Sequence, residues 1–179
     1  MSDTPPGPGG PPFGGTASEI REHWDEFMAD AEATAEEFEA AGWETLVCHP
    51  GDVTVTTIER FGIDVLVPDD EFAELDTWVE GGSFDAHEIY RAETTIVFLL
   101  LVMKDEAAER AVCIPAWYGS EDIETLYDGA EERGYIPTYV RNLAEEFVEF
   151  RHERPGLLLP AAEDAPDEAF GGEGTADDT

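Results

Sequence analysis

Against 43 acidic side chains, the groups able to do chemistry near neutral pH are few: four histidines and nine basic residues, of which only Lys104 is a lysine. Histidine is the side chain whose ordinary pKa lies closest to neutrality, so it is the first candidate for a proton carrier or a metal ligand. His49 stands in the run Cys48-His-Pro-Gly-Asp52, with an aspartate three residues on. A His49/Asp52 pair in a turn could orient a general base or hold a metal. The competing reading is a turn histidine bonded to its own loop, with Asp52 capping that turn. His87 lies in Phe84-Asp-Ala-His-Glu-Ile-Tyr-Arg91. Side chains alternate along a strand, so Asp85, His87, Ile89 and Arg91 share one face. That face either lines a shallow pocket, with His87 and Arg91 as its chemical pair, or is the solvent side of an edge strand. His152 belongs to the densest basic cluster, Arg151-His-Glu-Arg-Pro155, with Arg133 and Arg141 upstream. Arg141, Arg151, His152 and Arg154 could receive an anion or a partner's carboxylate, or could simply satisfy the acids around them. His23, beside Trp24, falls on the margin of a helical stripe.

Recognised catalytic spacings are absent. The chain holds no HxxxH, HExxH or CxxC set, so no metal and no cofactor is expected, and pairs of acids carry no information against this background. Val67-Pro-Asp69 with Val102-Met-Lys104 comes near a restriction-type nuclease pattern. Val102, however, stands where a second metal-binding acid belongs. No serine lies in a GxSxG elbow, although a triad need not be local in sequence. Cys48 and Cys113 sit in apolar runs and read as small buried hydrophobes.

The elements that would position these residues can be read from hydrophobic period and turn chemistry. Thr16 and Glu19 form a T-x-x-E capping box. Ile20, Trp24, Phe27, Met28, Ala31, Ala35 and Phe38 follow as one apolar stripe, stopped by Gly42. The stripe packs on the protein's own sheet or forms a dimer seam. Trp43–His49 and Asp52–Thr57 read as strands around the turn Pro50-Gly51, and Ile63–Val67 as a third. A second helix, capped by Asp69 or Asp70, runs to about Glu80. Phe84–Arg91 looks like an edge strand. Thr94–Met103 is almost wholly apolar and suits a central strand covered on both faces. After a turn at Lys104–Ala107 come a strand from Arg110 to Trp117 and a helix capped by Ser120 and ended by Gly134. Tyr135–Asn142 and Phe147–His152 favour a hairpin over a helix, because aromatic and β-branched residues dominate both. The order implies an α+β domain over residues 16–160, a mainly antiparallel sheet with about three helices on it. The Pro/Gly-rich residues 1–15 and the acidic residues 161–179 read as disordered tails.

Charge narrows the setting. Net charge is −34, yet 42% of residues are hydrophobic and 11% aromatic, enough for a packed core. Outside the two tails the balance is still about −26, so the acids are spread over the folded part. A surface of this kind opposes compaction in dilute buffer. At 1 M salt the Debye length falls to about 3 Å and most of the repulsion is screened. The reading is a salt-adapted protein. Clustered Lys and Arg are missing, which argues against direct nucleic-acid binding. The longest apolar run, Ile96–Met103, is too short to span a bilayer as a helix, and the start shows no basic or apolar leader segments. No membrane contact and a cytoplasmic location are therefore expected.

The runs Glu22-His-Trp-Asp25, Gly42-Trp-Glu-Thr-Leu46, His49-Pro-Gly-Asp-Val53 and Asp64-Val-Leu-Val-Pro-Asp-Asp-Glu-Phe72 resemble an uncharacterised family of small acidic haloarchaeal proteins, over roughly residues 18–160. The resemblance implies a haloarchaeal source and supplies no site residue. The order helix, hairpin, helix, three strands, helix also resembles roadblock- and longin-like scaffolds, which often pair through a sheet or helix. Two function classes follow. One is a non-enzymatic binding or interaction module, with a protein partner or a second copy. The other is a small-molecule enzyme built on a His/Asp or His/Arg pocket. Salt adaptation predicts that dialysis from multimolar KCl into dilute buffer abolishes the far-ultraviolet circular dichroism of the fold. A cooperative folded state in dilute buffer contradicts it.

Overall fold

A computed structural model describes residues 14–93 and 96–160. The expected tails lie outside the described residues except for Gly14 and Gly15, which open the first helix. Helix α1 spans Gly14–Ala40, so Thr16 lies inside the helix and not at its cap. It ends as expected at Gly42, whose φ of +95° lies in the left-handed region that glycine tolerates. Strands β1 (Glu44–Val47), β2 (Asp52–Thr56) and β3 (Gly62–Leu66) follow, then α2 (Asp69–Glu80). Next come β4 (Ala86–Glu93), β5 (Ile96–Asp105), β6 (Arg110–Gly119), α3 (Ile123–Arg133), β7 (Ile136–Arg141) and β8 (Phe147–His152). Among the described residues, three helices and eight strands make an α+β fold.

The strands form two mixed sheets where one was expected. The first has the order β1-β6-β5-β4 and the second β2-β3-β7-β8. Each holds one parallel pair, β1 with β6 and β3 with β7, among antiparallel neighbours. This also corrects the reading of Pro50-Gly51. The dipeptide does not close a hairpin; it carries the chain from one sheet to the other, and it departs from the single-sheet roadblock and longin arrangement. The last two strands do pair as an antiparallel hairpin, Ile136 opposite His152 through Arg141 opposite Phe147. Two caps also differ. Pro68 occupies the N-cap of α2, with no side-chain hydrogen bond there. Ser120 opens a short 3-10 turn ahead of α3. Lys104 lies in β5, not in the turn that follows it.

Strand β5 explains why two layers cover the first sheet. Every residue from Ile96 to Met103 is buried, so neither of its faces can meet water. On one face Leu100 and Val102 join Ala111 and Cys113 beneath Ala31 and Ala35 of α1. Phe27 and Trp24 extend that contact, against Phe98 at 5.2 Å and Trp117 at 4.9 Å between ring centroids. The stripe of α1 is therefore packed on the chain's own sheet. On the other face Leu99, Leu101 and Met103 meet Ile63, Val65, Val140, Val148 and Phe150 of the second sheet. Phe72, Leu75 and Trp78 of α2, and Leu126 and Ala130 of α3, complete this inter-sheet core. Cys48 and Cys113 are free and buried, and burial pushes the Cys113 thiol up to about 12.

Local devices fix the ends of the layers. The buried Asp105 accepts hydrogen bonds from the backbone N–H of Ser83 at 3.0 Å and of Ala108 at 3.2 Å. These bonds hold its carboxyl below the usual range. The segment after β8 folds back over the core, burying Leu158 and Leu159. It is tied by the hydroxyls of Tyr118 to the Leu158 carbonyl at 2.6 Å and of Tyr127 to that of Pro160 at 3.1 Å. Helix α3 meets Phe61 at Gly129, where a Cβ would stand 2.2 Å from the ring. Arg133 covers Phe61 at 4.6 Å from the ring centroid, so the ring has little room to withdraw. Gly129→Ala is accordingly expected to destabilise by about 1–3 kcal/mol despite its better helix propensity. Denaturant unfolding in multimolar KCl measures this directly.

Candidate functional site

The two sheets face each other across the core, and strands β4 and β8 are edge strands, each hydrogen-bonded to one neighbour only. In β4 the register sets His87 opposite Met103 and Ile89 opposite Leu101. Those partners face the inter-sheet core, so His87 and Ile89 point toward the second sheet. In β8 the burial alternates, with Val148, Phe150 and His152 inward. Between the two edges lies a half-open cleft of about 610 Å³, lined by Phe84, Asp85, His87, Glu149, Phe150, Arg151, His152, Glu153, Arg154 and Leu157 among others.

At its wall two imidazoles meet. His87 Nδ1 lies 3.2 Å from His152 Nδ1, with the rings 4.9 Å apart and inclined by 66°. His87 Nε2 is 3.2 Å from the Phe84 carbonyl oxygen, and His152 Nε2 is 2.8 Å from Thr138 Oγ1. The carbonyl can only accept, which makes His87 Nε2 the protonated nitrogen and leaves Nδ1 as an acceptor. His152 Nδ1–H then donates to it. That leaves His152 Nε2 as the acceptor of the Thr138 hydroxyl. The result is a one-way chain of two neutral imidazoles in which no ring lone pair is free. A further proton would break one of its bonds. Burial, and then the neighbouring His87, lower the pKa of His152 to about 3. Burial also lowers His87, against the opposing influence of Asp85 and Glu153.

The basic residues of the cleft divide sharply. Arg151 donates from Nε to Glu149 at 2.8 Å and covers the Tyr135 ring. Arg141 is held by Asp64 at 2.7 Å, outside the cleft. Arg91 donates to Glu93 at 2.5 Å and to the Leu157 carbonyl at 3.1 Å, so it fastens the turn Pro155–Leu157 against β4. Arg154 lines the cleft as an exposed residue, and among the described residues its guanidinium has no hydrogen-bond or ion-pair partner. The lone lysine, Lys104, is bonded to Glu88 at 2.6 Å.

His49 and Asp52 are not brought together. Glu71, at the start of α2, takes both the backbone N–H of His49 at 2.7 Å and its Nδ1 at 2.6 Å. Glu32 of α1 stands 3.7 Å from Nε2, and Asp52 accepts from the Thr54 hydroxyl. His49 is a surface tie between helices. The structure thus joins His87 from one sequence cluster to His152 and Arg154 from another. Sequence reasoning missed Thr138, Glu149 and Glu153. Thr138 had a readable signal: a hydroxyl in the inward row of β7 between Ile136 and Val140. Among the described residues no three His, Cys, Asp or Glu groups converge as a metal cluster.

This is an α+β domain of two mixed sheets with a polar cleft at their paired open edges. A family model matches residues 14–160, and the chain belongs to that family, a family of unknown function (DUF7529). No curated protein and no solved structure matches the chain. No helix among the described residues is long and apolar enough to cross a membrane.

Neutral histidines leave a pH mark on stability. Unfolded, His152 regains an ordinary pKa near 6.5; folded, it stays neutral to about pH 3. As pH falls below 6.5 the unfolded state gains the proton and the folded state does not, so stability falls. Between pH 6.5 and 5 this contribution is about 2 kcal/mol for His152. Thermal midpoints in multimolar KCl are expected to drop across that window, and His152→Gln to flatten the drop.

Proposed function

We propose that this chain is a non-enzymatic binding domain that takes a small polar ligand bearing an anionic group in the cleft between β4 and β8. The observation that carries the reading is Arg154. In a protein with nearly five acids per basic residue, this guanidinium lines a cleft with no carboxylate on it. An arginine fork suits a carboxylate or phosphate, which it grips with two parallel hydrogen bonds. With Arg151 already matched to Glu149, the carboxylates of Asp85 and Glu153 remain in or beside the same cleft. They would repel a simple anion and favour a ligand carrying both signs of charge, such as an α-amino acid.

Binding is favoured over catalysis because the histidine chain has no free lone pair to act as a general base. A macromolecular docking surface has less support. The exposed large apolar residues Ile58, Tyr90, Leu143 and Phe147 are scattered over separate elements, and the stripe of α1 is spent on its own sheet. Dense acids spread over the fold, with a single lysine, support working in molar salt and a haloarchaeal source, and argue against a nucleic-acid partner. A cytoplasmic location fits the same ionic setting.

Thermal shift in multimolar KCl tests the ligand, with the common α-amino acids, acetate and inorganic phosphate as probes. At least one amino acid is expected to raise the midpoint more than acetate or phosphate does. Arg154→Gln is expected to weaken that probe about 10–100-fold, the value of a charged hydrogen bond. No response to any probe, or a response untouched by Arg154→Gln, refutes the reading.

A further inference from the structure

We infer that His87 and His152 form a two-imidazole site for a borderline-soft divalent cation, such as zinc, nickel or cobalt, at the wall of the cleft. The inference rests on the geometry of the pair and not on Arg154, so it stands apart from the anionic ligand. Two nitrogens bound to one tetrahedral ion at about 2.0–2.1 Å each lie about 3.3 Å from one another. The two Nδ1 atoms are already 3.2 Å apart on inclined rings. A cation between them would displace one proton, and each ring would turn so that its Nδ1 lone pair aims at the ion.

The outer contacts can also serve the bound state, with the Thr138 hydroxyl giving up its present donor role. Metal-bound histidines usually donate their second N–H to a carbonyl, carboxylate or similar acceptor, which fixes the ring. His87 Nε2 already faces the Phe84 carbonyl, and His152 Nε2 faces Thr138 Oγ1. The proton balance closes within the site. The proton on His152 Nδ1 moves to its Nε2, the Thr138 hydroxyl turns from donor to acceptor, and both imidazoles stay neutral. No net proton is released from the pair. Both histidines line the cleft, from which water or a ligand would complete the coordination. Asp85 and Glu153 act electrostatically on His87 and add negative potential there. Imidazole nitrogen selects these metals over the hard magnesium and calcium ions that surface carboxylates prefer.

The test uses the full chain, stripped of metal with a chelator and kept in multimolar KCl. Cobalt(II) titration is expected to give one equivalent of binding with the visible bands of a low-coordinate ion, displaced by zinc. Calorimetry in two buffers of different ionisation heat is expected to show no proton release near pH 7.5. His87→Gln should abolish the bands and Thr138→Val should weaken binding about 10–100-fold. His49→Gln, remote from the cleft, should leave it unchanged. Nitrogen NMR of the unaltered protein is expected to shift Nδ1 of His87 and His152 on adding zinc, and to leave His23 and His49 in place. Histidine resonances that stay unshifted, or cobalt bands that survive His87→Gln in a folded variant, overturn the site.

Discussion

Up to Met103, strand β5 has no polar face. Ile96 to Met103 presents apolar side chains in both directions, and a strand of that kind holds its place only when each side is covered by another layer. Helix α1 supplies one cover through its small residues Ala31 and Ala35, which let the helix approach closely, and through the rings of Trp24 and Phe27. The second sheet supplies the other. Once two four-stranded sheets face each other, their edges must end somewhere. β4 and β8 are two of those edges, and the cleft is the space left between them. The site is thus a consequence of how the core is closed.

Edge strands are where a sandwich can admit polar groups, because one side of the backbone remains near water. His87 and His152 use that tolerance. Each lies on an inward face that elsewhere carries Ile89 or Phe150, and each is satisfied by the other, by the Phe84 carbonyl and by Thr138. Buried polar atoms left alone would cost roughly 1–3 kcal/mol apiece, so the pairing is what lets two imidazoles sit there. The rarity of cations sharpens the contrast with Arg154. Arg60, Arg110, Arg133 and Arg151 are each both ion-paired and stacked on an aromatic ring. Surface ion pairs fade under salt screening, whereas contact with a ring face keeps its packing component.

Much of the local structure was legible because it depends on short-range chemistry. Gly42 and Gly134 end helices in left-handed conformations, φ +95° and +86°, as their positions after apolar stripes required. The all-apolar Ile96–Met103 read as central, and the mixed Phe84–Arg91 as an edge. Tyr135–His152 resolved as a hairpin on side-chain shape. Pro50-Gly51 misled, because a turn dipeptide reverses the chain whether the next strand pairs with the last one or crosses to another sheet. Caps misled at Thr16, Asp69 and Ser120: α1 already runs from Gly14, Pro68 takes the N-cap of α2, and Ser120 opens a 3-10 turn ahead of α3.

The sequence by itself determined the element types, the doubly buried strand, the family resemblance and the acidic surface, all set by residues within a few positions of one another or by composition. Tertiary structure alone decided which histidine meets which. His87 and His152 are 65 residues apart, and no spacing rule links them, because their contact exists only after two separate sheets pack across β5. It likewise gave His49 to Glu71 in place of Asp52, and left Arg154 without a carboxylate in a chain full of them. Chemistry between distant residues is a property of layers meeting, and layers meet through the core.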